Sequence, residues 1–329
     1  MRKIVVLSLI ILFGFTSFNC GNSETSPAIT PQTYRVVYST YSTVYTGLRI
    51  ATIDASNSTV INETVLTEGT QDLKPSWSMD GTKIVFFRII SGSTADLMTC
   101  KTKLCVINSD GTGLVELTNG SNGDFNATFM RDGSNRIIFL RLNQTTGNWA
   151  TYIINLNGPQ GSELAITDLS RSEAGFTTTR SGKVLGNYHA SAGIGSLVFN
   201  PGSVGTYTTL NIDGARPYWD HYSLSMDETK LVTEVCYSTT SNRNNFSVSI
   251  ADINMNTYSI TNVRTMVTPN SAYWDGYPRW SPDGKYVLFH SNKTGKYLLY
   301  LYEVSTGNVS VLPLSTNNYL FPCFEYAPV

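Results

Sequence analysis

From Tyr34 onward, short apolar runs alternate with polar turns, and no convincing amphipathic helix interrupts them. The pattern repeats. Lys74-Pro75-Ser76-Trp77-Ser78-Met79-Asp80-Gly81-Thr82-Lys83-Ile84-Val85-Phe86-Phe87 returns as Tyr277-Pro278-Arg279-Trp280-Ser281-Pro282-Asp283-Gly284-Lys285-Tyr286-Val287-Leu288-Phe289. Thr128-Phe129-Met130-Arg131-Asp132-Gly133, followed by Arg136 to Phe139, is a weaker copy, and degenerate copies run from Thr178 to Leu185 and from Leu224 to Val232. Copies recur roughly every forty to fifty residues, the length of a four-stranded blade.

Each copy has a physical reading. The aromatic residue ends an inner strand, Asp-Gly makes a tight turn because Gly tolerates positive φ, and the Ile-Val-Phe type of run is a strand buried on both faces. A second hairpin follows, as in Leu104 to Asn108, Asp110-Gly111 and Leu114 to Leu117. The fold class predicted is therefore all-β, a six-bladed β-propeller of four-stranded antiparallel blades. Pro322 and Phe324 sit at the Pro and Trp positions of one more copy that stops after its first strand, and Arg35 to Ser39 reads as the missing second strand. Joining them closes the ring with a blade shared between the two termini and removes two sheet edges.

The Pro-x-Trp-Ser-x-Asp-Gly core resembles the WD40-like (PD40) repeat of the TolB family, over residues 34–329. The resemblance is specific in the second and sixth units and poorest in the fourth, where only the spacing and a Ser181-Gly182 turn remain. It implies a propeller in the cell envelope. The tether leading straight into Tyr34 leaves no room for the α/β domain that precedes the propeller in TolB itself, so that protein's role with the Tol-Pal system is not carried over.

The N-terminus gives an address. Arg2 and Lys3 precede an apolar stretch from Ile4 to Phe15, too short for a comfortable membrane span, and Cys20 follows where a lipoprotein signal peptidase would leave it as the first residue. Ser17 and Asn19 depart from the common lipobox and look like relaxed spirochaetal ones. Residues 1–19 are read as the signal peptide, 20–33 as a lipidated polar tether and 34–329 as the propeller. The expected location is the cell envelope, lipid-anchored at the outer membrane, on the periplasmic face or the cell surface. The alternative is an ordinary export signal cut near Ser23.

Composition narrows the chemistry. Charged residues make up 14% of the chain and the net charge is -1, without a Lys/Arg cluster, so nucleic-acid binding has no electrostatic footing. Cys100 and Cys105 flank a short segment that could close as a disulfide loop in an oxidising compartment; two separate thiols are the alternative. An acidic residue stands five places ahead of the aromatic position in several copies: Asp72, Asp124, Glu173 and Asp275, with Asp220 one place out of register. These carboxylates either cap their own turns or converge as an acidic rim.

Tyr218-Trp219-Asp220-His221-Tyr222 and Tyr273-Trp274-Asp275-Gly276-Tyr277 nearly duplicate one another. Aromatic faces beside carboxylates suit sugars, peptide side chains or cations, so Trp219, Asp220, His221, Trp274 and Asp275 form the centre of the candidate ligand site. Buried wedges between blades are the alternative role for the Trp residues. There is no Gly-x-Ser-x-Gly elbow, and His189, His221 and His290 are scattered over three units without metal-site spacing. The sequence therefore points to a monomeric binding or scaffold module for a protein or glycan, with no cofactor. The runner-up is a metal-dependent lyase or hydrolase working in the channel.

Cys20→Ala should release the protein from the detergent phase in Triton X-114 partitioning without altering its fold. Equal retention of that variant, or a mature N-terminus mapped beyond Cys20, would refute lipidation.

Overall fold

A computed structural model describes residues 32–41, 46–93, 96–166, 172–190, 193–199, 206–212, 218–236, 246–270, 272–315 and 318–326. Cys20 and the rest of residues 1–31 lie outside them. Among the described residues there is no helix, and none long and apolar enough to cross a membrane.

The first sheet begins with β1 (Thr33–Tyr41), β2 (Thr46–Asp54) and β3 (Thr59–Val65). The second comprises β4 (Asp72–Trp77), β5 (Lys83–Ser93), β6 (Asp96–Asn108) and β7 (Val115–Glu116). The third comprises β8 (Gly123–Phe129), β9 (Arg136–Leu142), β10 (Trp149–Asn155) and β11 (Leu164–Ala165). In the fourth, β12 (Ser172–Thr178), β13 (Val184–Ala190), β14 (Gly193–Phe199) and β15 (Tyr207–Thr209) follow in order. The fifth has five strands: β16 (Asn211–Ile212), β17 (Tyr218–Leu224), β18 (Lys230–Cys236), β19 (Phe246–Asn254) and β20 (Ser259–Thr265). The sixth comprises β21 (Asp275–Trp280), β22 (Tyr286–Ser291), β23 (Leu298–Glu303) and β24 (Val309–Val311). Finally β25 (Tyr319–Phe324) pairs antiparallel with β1 and makes the first sheet four-stranded.

The arrangement is a propeller-like ring of four-stranded antiparallel sheets, with one departure from the expected pattern. In the fifth sheet β16 adds parallel to β20, because the chain leaving the fourth sheet runs along its neighbour's outer edge, where the Asn211 amide donates to the Tyr258 carbonyl at 2.8 Å.

Turn chemistry explains the repeat. Ser78, Ser225 and Ser281 each donate to the Asp two places on, Asp80, Asp227 and Asp283, while the Gly81 and Gly284 amides close the turn at 3.0 Å onto Ser78 and Ser281. Gly81 and Gly284 sit at φ of 68° and 72°, and the degenerate copy puts Glu228 there at φ of 59°. A side chain in that region is strained, which is why the fifth unit is hard to recognise from sequence.

The core lies between sheets. Leu73 and Phe87 of the second sheet pack on Phe125 and Phe139 of the third, and Trp77 and Ile84 pack on Val37 and Leu48 of the first. Val232 and Val248 of the fifth meet Trp280 and Val287 of the sixth, and Leu288 and Leu301 of the sixth meet Val36 and Phe324 of the first. Because both faces of each middle strand are covered, Ile84 to Phe87 and Val287 to Phe289 are apolar throughout rather than alternating.

The β25–β1 pair is tied to both neighbours. Trp77 Nε1 donates to the Cys323 carbonyl at 3.2 Å, and the Tyr34 hydroxyl donates to Asp283 at 2.7 Å. Deleting residues 320–329 should expose Val36, Val37 and Trp77 and lower the melting temperature by far more than trimming an ordinary tail. An unchanged melting temperature would show that these residues carry no structural load.

Candidate functional site in the central channel

The inner strands share one irregularity. In β4, β8, β12, β17, β21 and β25 the ladder shifts register at the same place, between partners such as Leu73/Ser76, Asp220/Ser223 and Gly276/Arg279. At this bulge Lys74, Asn126, His221, Tyr277 and Phe321 take φ between 49° and 55°. A bulge re-aims a side chain, and these five line a cavity of about 50 Å³ bounded by residues of all six inner strands. Ser76, Thr128, Thr177, Ser223 and Arg279 form the tier below them, with Arg131 and Tyr326 beyond.

Ladder pairing also reveals what becomes of the repeated acid. Asp72 faces Arg88 and Asp124 faces Arg141, and each carboxylate accepts two guanidinium bonds of 2.6 to 2.9 Å. Both acids are buried. Of the two alternatives, an acidic rim therefore does not form from Asp72 and Asp124, since a buried carboxylate needs a counter-charge and the next strand supplies it. Glu173 pairs by register with Tyr188; its side chain is not described. Asp275 faces Ser291, and burial raises its carboxyl above the usual range, with Ser291 and Lys293 opposing.

The two Tyr-Trp-Asp motifs do not superpose in space. Relative to the bulge, Trp219 occupies the position of Asp275, and Asp220 that of Gly276. A one-residue slip turns successive side chains to opposite faces. Trp219 is thus 3% exposed and packs with Leu185, Leu224 and Val235, a wedge between the fourth and fifth sheets rather than a channel contact. Trp274 stays half-buried beside the channel.

The residues that do gather there are His221, Trp274 and several outside the sequence motif. Glu234 and His290 hold equivalent places on β18 and β22, where the second and third sheets have Phe87 and Leu140. Glu234 accepts the Tyr277 amide at 2.6 Å and Trp274 Nε1 at 3.1 Å, and its Oε1 lies 2.9 Å from His221 Nδ1. Burial works to raise the Glu234 carboxyl, yet His221, the Tyr277 amide and His290 hold it below its ordinary value. Gly276 is required here, because a Cβ would stand 2.7 Å from Trp274 Nε1 and 2.8 Å from Glu234 Oε1. Asp220 accepts the His221 amide at 2.8 Å.

His290 is fully buried. Its Nδ1 accepts the Phe321 amide at 3.1 Å, which places the proton of the neutral ring on Nε2, an atom without a hydrogen-bond partner. Lys74 lies 4.6 Å from the Tyr277 ring and 5.1 Å from that of Phe321. Burial pulls its ammonium down to about 8, while Asp220 and Glu234 counteract and Arg279 assists. Sequence reasoning missed Glu234, His290 and Lys74. Glu234 and His290 were visible only as polar residues inside a run that the second and third copies keep apolar, and Lys74 only as a residue two places after the repeated acid.

Two further expectations meet the structure here. Cys100 and Cys105 are free and buried. They lie five places apart along β6, roughly 17 Å at strand rise and on opposite faces, so no bond can join them. Among the described residues no group of three or more His, Cys, Asp or Glu is placed to hold a metal ion.

Burial depresses the His290 imidazole to about 3, with His221, Lys74 and Arg279 adding to the effect and Glu234 opposing it. An unfolded chain takes up this proton near the ordinary value of about 6.5 while the folded one does not. Stability should therefore be intact above about 6.5 and fall as the pH drops towards 3, by up to about tenfold per unit in the unfolding constant. Urea denaturation from pH 7.5 to 4.5 should show this slope flattened in His290→Gln; an identical slope would place the titration elsewhere.

No family model matches the sequence, and no curated protein does. Solved structures do. TolB from Acinetobacter baumannii superposes with a TM-score of 0.68 at 19% identity, over 89% of this chain and 66% of that one. A putative TolB from Agrobacterium tumefaciens gives 0.56 at 15%, over 88% and 90%. Hydrazine synthase from Kuenenia stuttgartiensis gives 0.64 at 14%, over 91% and 47%. The chain thus spans just under two thirds of the Acinetobacter protein, and identities this low establish the fold alone. That fold is the TolB-like β-propeller.

Proposed function

We propose that the chain is a lipid-anchored envelope protein, a six-bladed propeller closed by the shared blade of its two ends, that binds a protein or glycan through the channel mouth of the fifth and sixth blades. One observation carries this reading: Glu234 and His290 stand where the second and third sheets have Phe87 and Leu140, and assemble His221, Trp274 and Tyr277 into a polar, aromatic patch beside the cavity. Buried polar groups cost stability unless they are paired, so a cluster confined to two neighbouring blades has a local role. The β1–β25 pairing supports the closed ring, and the Cys20 context supports the anchor.

A second reading has a specific observation in its favour. His221 Nδ1 and Glu234 Oε1 lie 2.9 Å apart, an imidazole beside a carboxylate, and such a pair suits general-base chemistry in a propeller lyase or hydrolase. Stoichiometric divalent metal in the purified protein would favour that enzyme.

His221→Gln and Trp274→Phe separate site from scaffold. Both variants should keep the parent's melting temperature within a few degrees and lose at least tenfold in binding to glycan arrays or in co-purification of envelope proteins from cross-linked cells. Retention of the parent's partners by both would refute the proposed site.

A further inference from the structure

The channel lining carries more positive charge than its own residues neutralise. Lys74, Arg131 and Arg279 all line the cavity, and no Asp or Glu does. None of the three forms an ion pair with a described carboxylate, whereas Arg88 and Arg141, in the sheets alongside, are each clamped by one. Arg131 is 6% exposed. Its Nη1 donates to the Leu224 carbonyl at 3.3 Å, and its Nη2 to the Ser225 carbonyl at 3.0 Å and to Met226 Sδ at 3.5 Å; its buried Nε has no partner. Arg279 Nη1 donates to the carbonyl of Pro278, its own neighbour, at 2.9 Å. The acids that act on Lys74 through space also hold other groups: Asp220 accepts the His221 amide, and Glu234 accepts the Trp274 and Tyr277 N–H groups.

A guanidinium withdrawn from water without an ion-pair partner is unfavourable, and a bound anion would supply that partner. Hydroxyls complete the surroundings. Ser76 and Thr128 stand 2.8 Å apart, and Ser223 lines the same tier. Such hydroxyls and guanidinium forks are the donors that oxygen anions accept from. A cavity of about 50 Å³ holds three or four water-sized spheres, enough for a carboxylate, phosphate or sulfate group. Burial pushes the Tyr326 phenol, at the lower end, up to about 12, with Cys323 adding and Arg131 and Arg279 opposing, so it stays a neutral donor.

We propose that the channel holds an oxyanion well, in which Arg131, Arg279 and Lys74, with the hydroxyls of Ser76, Thr128 and Ser223, bind one carboxylate, phosphate or sulfate group. This rests on the binding role proposed above and supplies the chemistry of its ligand: an acidic group entering along the axis. The fork of Arg279 selects oxygen anions over chloride, because two parallel donors match two oxygens and not a sphere.

Calorimetric titration at matched ionic strength, with sodium sulfate, inorganic phosphate and acetate against a sodium chloride background, tests the well and distinguishes the three groups. The parent should bind at least one of them with a stoichiometry of one, and Arg279→Gln and Lys74→Met should each weaken it at least tenfold. Arg131→Gln should abolish binding; should that variant not fold, Arg279→Gln carries the test, since Arg279 is half-buried and its Nη1 donates to the neighbouring Pro278 carbonyl. Sulfate stabilises many proteins by exclusion from their surface, so the variants, melted in the same salts, supply the reference. No saturable heat with any of the anions, or unchanged binding in Arg279→Gln, would overturn the proposal. If the parent binds none while His221→Gln and Trp274→Phe still lose their partners, the well is wrong and the binding face stands.

Discussion

The bulge in each inner strand governs what the channel contains. Two residues there oppose one on the next strand, and in five of the six inner strands the first takes a positive φ, which re-aims its side chain into the cavity. Lys74, Asn126, His221, Tyr277 and Phe321 owe their position to it. Because the irregularity recurs in every inner strand, it belongs to the architecture. What each sheet places on it varies, and that variation gives the channel its chemistry.

Charge compensation sorts the remaining polar residues. In the second and third sheets the repeated Asp and a cross-strand Arg neutralise one another, leaving a satisfied structural pair. In the fifth and sixth sheets the corresponding places hold Trp219 with Val235 and Asp275 with Ser291, so the guanidinium is gone. A carboxylate reappears one step along, at Glu234, where two imidazoles, an indole and a backbone amide surround it. The structural role of the acid and the local role of the cluster therefore fall in different blades.

Packing between sheets holds this arrangement in place. Each apolar cluster joins two neighbours, so no sheet buries its faces alone, and the β25–β1 pair brings the C-terminal strand between Trp77 on one side and Leu288 on the other. His290 accepts its hydrogen bond from Phe321 on that same strand, which links the order of the chain's end to the order of the channel.

The sequence by itself determined the all-β class, the position of each inner strand and the Ser-x-Asp-Gly turns, because these rest on local rules: period-two patterning, side-chain caps and the freedom of Gly81 and Gly284. It also marked His221 and Trp274. It misplaced Trp219, since matching Tyr-Trp-Asp strings hides a one-residue offset that only the ladder with β18 exposes. It left Cys100 and Cys105 as a possible pair, although a continuous strand keeps them on opposite faces. Tertiary structure alone decided that Glu234 meets His221 and Trp274, that Asp72 and Asp124 are neutralised, and that Lys74, Arg131 and Arg279 share one cavity. These residues come from different sheets, and whether two charges pair, repel or stand alone is a property of distance and burial, which are fixed only when the sheets pack around a common axis.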